Sequence, residues 1–271
     1  MTEGRFGLST RLFLAERLDQ AHIQLIAAHG FTAIEAVASH THFDYRDAGA
    51  IARLGEWLST ADVTLHSLHA PVDASIASGD EAVRARAVGD VTAALEVARH
   101  IPYRYLVVHL GTPAAAGRVN DNQPAAARRS LEQIVETAAG VGVDVAVEVI
   151  ANPLSNPEAL VRLIEDDLDE LDLGICLDYG HAHMLGDLAD GIETVAGHLV
   201  TTHVHDNRGR GDDHLSPYAG SIDWDVAMME TQKIGYDGVL MFEVADPGDA
   251  VATLKRCADA RERLERTFVT F

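Results

Sequence analysis

Residues 143–178 read VDVAVEVIANPLSNPEALVRLIEDDLDELDLGICLD. An apolar, β-branched run at 143–150 gives way to a segment of helical period at 156–167, which opens on Asn-Pro, and a second apolar run closes the stretch at 173–178. Near-continuous apolar runs of this length are strands buried on both faces, and a helix between two of them is the crossover a parallel pair needs. The same strand-then-helix unit recurs from end to end. Strand-like runs occupy 5–8, 33–37, 63–68, 105–109, 143–150, 173–178, 199–205 and 238–244; helical segments include 81–99, 124–139, 156–167, 224–234 and 249–267. Eight such units predict an α/β chain whose parallel sheet closes into a single (β/α)8 barrel rather than an open, doubly wound sheet. No Gly/Ser linker, low-complexity tract or charge run interrupts the series, so residues 1–271 are read as one domain.

Composition agrees with a large buried core: 47% of the 271 residues are hydrophobic, and mean hydropathy is +0.01. Disordered, collagen-like and disulfide-scaffold classes are excluded. Charge is more discriminating. The chain carries 42 acidic and 21 basic residues, a net −21, and its only lysines are Lys233 and Lys255. Such a surface repels nucleic acid and anionic membranes. Cys176 and Cys257 match no disulfide or zinc-ribbon spacing, and no run approaches the roughly 20 apolar residues of a bilayer span. A cytoplasmic, reducing location without membrane contact is expected. Neither a Gly-x-Gly-x-x-Gly fingerprint after the first strand nor a P-loop is present, which removes the main support for nucleotide cofactors.

The chemistry-bearing residues lie where barrel enzymes build their sites, at the C-terminal ends of the strands. His69 closes the third strand (LHSLHAP), His109 the fourth (LVVHLG), and Glu148 the fifth (VAVEVIANP). Asp178 and His181 close the sixth (CLDYGHAH), His203 and His205 the seventh (TTHVHDN), and Glu243 the eighth (LMFEV). Asp212 and His214 follow in the loop GDDHLSPYAG. Unpaired carboxylates at Glu148 and Glu243 inside apolar runs are expensive to bury, and a cation is the economical partner. His203 and His205 share one side of a strand by period two, so the residues alone leave open which is a ligand. Glu35, near the end of the second strand, is placed to hydrogen bond a substrate or a histidine ligand. Cys176 reads as barrel packing, and His22, His29 and His100 as solvent-facing.

With these motifs the chain resembles the xylose-isomerase-like TIM-barrel superfamily, which holds sugar isomerases and epimerases together with metal-dependent apurinic-site endonucleases. The resemblance rests on LHAP, VVHLG, VEVIANP, CLDYGHAH, HVHDN, DDHLSPYAGSIDW and MFEV and covers nearly the whole chain. It implies a divalent metal ion (Mn, Co, Mg or Zn) held by Glu148, Asp178, His203 and Glu243; His203 is chosen because the family's ligand stands three residues before an Asp, here Asp206. The endonuclease branch implies up to three ions, drawing in His69, His109, His181, Asp212 and His214. In the sugar branch His69, His109, His181 and His205 grip substrate hydroxyls, with Arg208 and Glu35 as further substrate-binding candidates. The expected activity is isomerisation or epimerisation of a small sugar or sugar phosphate, with Glu148 and Glu243 moving the proton next to the carbonyl through an enediolate. The alternatives are an apurinic-site endonuclease and a ketosugar dehydratase or lyase. Relatives of this type also imply a homo-oligomer. Two features depart from the pattern: Pro217 to Gly220 replaces a Gly-x-Gly turn, and the basic loops of duplex-binding relatives are missing.

Overall fold

The computed structural model describes residues 5–111 and 122–269. Its strands are β1 (Phe6–Ser9), β2 (Ala33–Val37), β3 (Thr64–His69), β4 (Tyr105–Val108), β5 (Asp144–Glu148), β6 (Leu173–Asp178), β7 (Leu199–Val204) and β8 (Leu240–Phe242). Each pairs in parallel with the next, and β8 returns to β1, so the sheet closes into a barrel with no free edge. The helices that cover it include α1 (Gln20–Ala28), α2 (Ala48–Ala61), α3 (Glu81–Leu95), α4 (Pro124–Ala139) and α5 (Pro157–Arg162). Short helices α6 (Tyr179–Leu185) and α7 (Leu188–Thr194) follow β6, and α8 (Trp224–Lys233) and α9 (Ala250–Val269) complete the ring. This is the (β/α)8 TIM barrel that the alternation predicts. Among the described residues, no helix is long and apolar enough to cross a membrane.

Boundaries differ from the sequence reading where backbone hydrogen bonds are redirected. Strand β5 ends at Glu148 instead of 150, because the Ile150 N–H turns back to Ser155 O. The segment 156–167 begins as expected, with Asn156 Oδ1 accepting from Ala159 N–H at 2.9 Å, but loosens into a π turn over Leu163–Asp167. The 81–99 helix likewise tightens into a 3-10 turn at Glu96–Arg99.

Two apolar shells hold the barrel. The larger, between sheet and helices, includes Leu8, Ile34, Leu54, Leu68, Leu106, Ile134, Leu177 and Phe242, all nearly inaccessible. The smaller lies among Val107, Ala146 and Cys176 with Val200 packed against them. Gly174 makes room for it, since a Cβ there would stand 2.4 Å from Val200 Cγ2; elsewhere in the barrel a Cβ on Gly7 would stand 2.5 Å from Met241 Cε. Two bulges re-aim side chains. Ile34 pairs with Leu65 while Glu35 pairs with Ser67, leaving His66 as the extra residue, and Val200 is the extra residue of β7 against β6. Cys176 and Cys257 are buried and free, as their spacing suggests.

Candidate metal centre

Glu148 ends β5, Asp178 ends β6, His203 stands one residue before the end of β7, and Glu243 follows β8. The barrel brings one ligand-competent atom from each of the four within 4.8 Å of one another, with all four residues buried. His203 Nδ1 lies at the centre, 3.4 Å from Glu148 Oε2, 3.9 Å from Asp178 Oδ2 and 3.5 Å from Glu243 Oε2. That nitrogen has no hydrogen-bond partner, whereas His203 Nε2 donates to Glu35 Oε2 at 3.1 Å. A buried imidazole nitrogen without a partner, facing three carboxylates, is a donor set that fits a divalent cation.

Two further groups share a residue with this one, His69, His109 and Glu148 through Glu148, and Asp178, His181 and His205 through Asp178; a third, His205, Asp212 and His214, joins the latter through His205. Glu148 Oε2 accepts from His69 Nε2 at 3.2 Å and His109 Nε2 at 3.0 Å. Asp178 accepts from His205 Nε2 at 3.1 Å and from the His181 backbone N–H at 2.7 Å. His214 Nε2 donates to Asp212 Oδ2 at 3.0 Å, and the His205 and His214 rings stack with centroids 4.0 Å apart.

Burial pushes the Glu148 carboxyl up, yet the charges of His109 and His203 hold it well below the usual carboxylate range. Burial is likewise overcome at Asp178, which His181 and His205 hold at about 2. Conversely, burial disfavours the His181 imidazolium, but Asp178, Asp212 and Glu148 raise it well above the ordinary value. Attraction between the carboxylates and the histidines sets both shifts, and a divalent ion would attract the same carboxylates.

The loop after β7 delivers Asp212 and His214, and Asp206 folds it. Its buried carboxylate accepts from the N–H groups of Asn207, Gly220 and Ile222 and from Trp224 Nε1, all between 2.9 and 3.1 Å. A Cβ on Gly220 would stand 2.2 Å from Asp206 Oδ1, so this turn requires a glycine although Pro217, Tyr218 and Ala219 precede it. Trp224 is buried at the start of α8, held by that hydrogen bond. Gly180 has a similar role beside His205, whose Cε1 would lie 2.0 Å from an added Cβ.

Not every sequence candidate faces the centre. The Arg208 side chain is 65% exposed and pairs with Asp213 at 3.5 Å, outside the four groups. Glu35 and His205 are fully buried and hydrogen bond His203 and Asp178 respectively. His22, expected to face solvent, is buried, because it caps α1 and packs on Phe13. Arg11 escaped the sequence reading: its Nη1 lies 4.0 Å from Glu243 Oε1, just past the end of β1. It lies two residues past the end of β1 and is neither His, Asp nor Glu, so no strand-end pattern marks it. Residues 39–46 border a cavity of about 490 Å³ lined by Leu14, Val37, His40, Tyr45 and Val72.

Comparison with known proteins agrees with this architecture. An uncharacterised protein of Methanocaldococcus jannaschii is 32% identical over 260 residues, covering 91% of this chain and 86% of that one. A crystal structure of a D-tagatose 3-epimerase-like protein superposes with a TM-score of 0.81 at 28% identity, covering 98% of this chain and 97% of that one. The IolI protein, crystallised with a bound zinc atom, shares the fold at a TM-score of 0.81 and 17% identity, covering 98% and 100%. Residues 23–267 match the family model described as xylose isomerase-like TIM barrel, and the chain belongs to that family.

Proposed function

We propose that the protein is a divalent-metal-dependent isomerase or epimerase of a small sugar or sugar phosphate. The observation that carries this reading is the convergence of Glu148, Asp178, His203 and Glu243 around one point at the C-terminal end of the barrel. Those four residues would hold the ion, which would polarise the substrate carbonyl and the adjacent hydroxyl as a Lewis acid. Glu148 from β5 and Glu243 from β8 approach the cluster from different strands, so one carboxylate removes the proton next to the carbonyl and the other, or the same one, returns it. Glu243 has the less occupied carboxylate for this transfer: its Oε1 faces Arg11 at 4.0 Å, whereas Glu148 Oε2 already accepts from two histidines. His109, the more accessible of those two, and His181 border the site and would orient substrate hydroxyls. The likeness to a D-tagatose 3-epimerase-like protein supports a ketose as the substrate class.

Solvent deuterium exchange at the carbon next to the carbonyl tests the assignment. Glu148→Gln and Glu243→Gln each abolish exchange on this account; retained exchange in both variants contradicts it. A multi-zinc apurinic-site endonuclease is the second reading, favoured by the groups around His69 and His109 and around Asp212 and His214. The net charge of −21 opposes it, since phosphate contacts supply most nonspecific DNA affinity.

A further inference from the structure

Glu35 belongs to none of the four candidate ligand groups, yet it is a fully buried carboxylate in the barrel interior. Three donors converge on it. Ser9 Oγ of β1 donates to Oε1 at 3.2 Å, while Ser67 Oγ of β3 and His203 Nε2 of β7 donate to Oε2 at 2.9 and 3.1 Å. The bulge between β2 and β3 sets this arrangement, because the slip at Ile34/Glu35 places Ser67 rather than His66 opposite Glu35. An ionised carboxylate only accepts, so its bond to His203 requires the imidazole proton on Nε2. The other nitrogen, Nδ1, is the one without a hydrogen-bond partner and the one that faces Glu148, Asp178 and Glu243.

We propose that Glu35 is a positioning residue. Anchored by Ser9 and Ser67, it fixes the ring orientation and tautomer of His203 so that the Nδ1 lone pair is directed at a cation held with Glu148, Asp178 and Glu243. The proposal rests on the metal-centre reading above and adds to it the residue that aims the histidine. Partners of this kind fix ligand geometry and raise ligand basicity, and their loss commonly weakens metal binding by about 10- to 100-fold. A carboxylate present only to satisfy two serines would leave metal affinity alone.

The test is competitive titration of the full chain, stripped of metal, with Zn2+ and Co2+, together with the visible absorption spectrum of the Co2+ form. Wild type binds, and Glu35→Gln binds about 10- to 100-fold more weakly with an altered Co2+ spectrum, because the amide offers His203 a weaker acceptor. Ser67→Ala, which removes one anchor and keeps the carboxylate, shifts the affinity in the same direction by a smaller factor. A folded Glu35→Gln protein with affinity within about twofold of wild type and an unchanged spectrum overturns the proposal while leaving the metal centre standing. Should Glu35→Gln fail to fold, Ser67→Ala decides: unchanged affinity and spectrum overturn it. A wild-type chain that binds neither ion overturns both the proposal and the function beneath it.

Discussion

His203 and His205 show how far a residue pattern reaches and where it stops. Period two puts both imidazoles on one side of the strand, and both do approach Asp178, at 3.9 and 3.1 Å. What separates them is the other end of each ring: His203 leans on Glu35 across the barrel, and His205 sits over Gly180 and stacks on His214. No local pattern encodes those cross-barrel partners. The glycine gives a direct prediction at this scale. Gly180→Ala places a methyl inside the His205 ring position, so the ring must move and its bond to Asp178 breaks. Overpacking of this kind costs about 1–3 kcal/mol. Urea unfolding should show that loss, and a variant as stable as wild type would mean that the ring relocates freely.

At the scale of elements, the strand ends were legible because barrel topology turns a linear fact, His, Asp or Glu as the last residue of an apolar run, into a spatial one. Arg11 is not legible in this way, because it follows the end of β1 at Ser9 by two residues and is brought to Glu243 only by the turn Thr10–Phe13. The bulges in β3 and β7 were invisible, since a single extra residue leaves an apolar run looking unbroken. The loop after β7 was seen in sequence, but its organiser was not: Asp206 entered only as a spacing marker for His203. Asp206→Ala removes the acceptor for three buried or part-buried N–H groups and the Trp224 indole. A loss on the order of 3 kcal/mol is expected, with faster amide exchange at Gly220 and Ile222. Protection that survives the substitution would show that the loop holds itself in place without Asp206.

For the whole molecule, the closed barrel followed from eight repeats of one unit, whereas the depth of each residue within it did not. Strand-end position left Glu35 open between a substrate and a histidine ligand and made His205 a substrate candidate, because it says nothing about whether a side chain faces the mouth or the barrel interior; the structure encloses both and sets Glu35 against His203. Net charge also acts at this scale. With 42 acidic residues against 21 basic ones, the folded chain repels itself, and salt screens that repulsion over about 10 Å at 0.1 M and about 3 Å at 1 M. Raising KCl from 0.1 to 1 M should therefore raise Tm by about 2 °C, the equivalent of about 1 kcal/mol for a chain of this size. A Tm that falls with salt would place the favourable ion pairs above the net repulsion.

On the proposed reading, the barrel mouth holds a divalent ion between Glu148, Asp178, His203 and Glu243. The most direct measurement is metal content per chain, by elemental mass spectrometry on untagged protein purified without chelator, beside an Asp178→Asn variant. The account predicts about one ion of Mn, Co, Mg or Zn in the wild type and a large loss in the variant. A folded wild-type chain that holds no metal after equilibration with each of these ions, or one that keeps its metal in the Asp178→Asn variant, would contradict it.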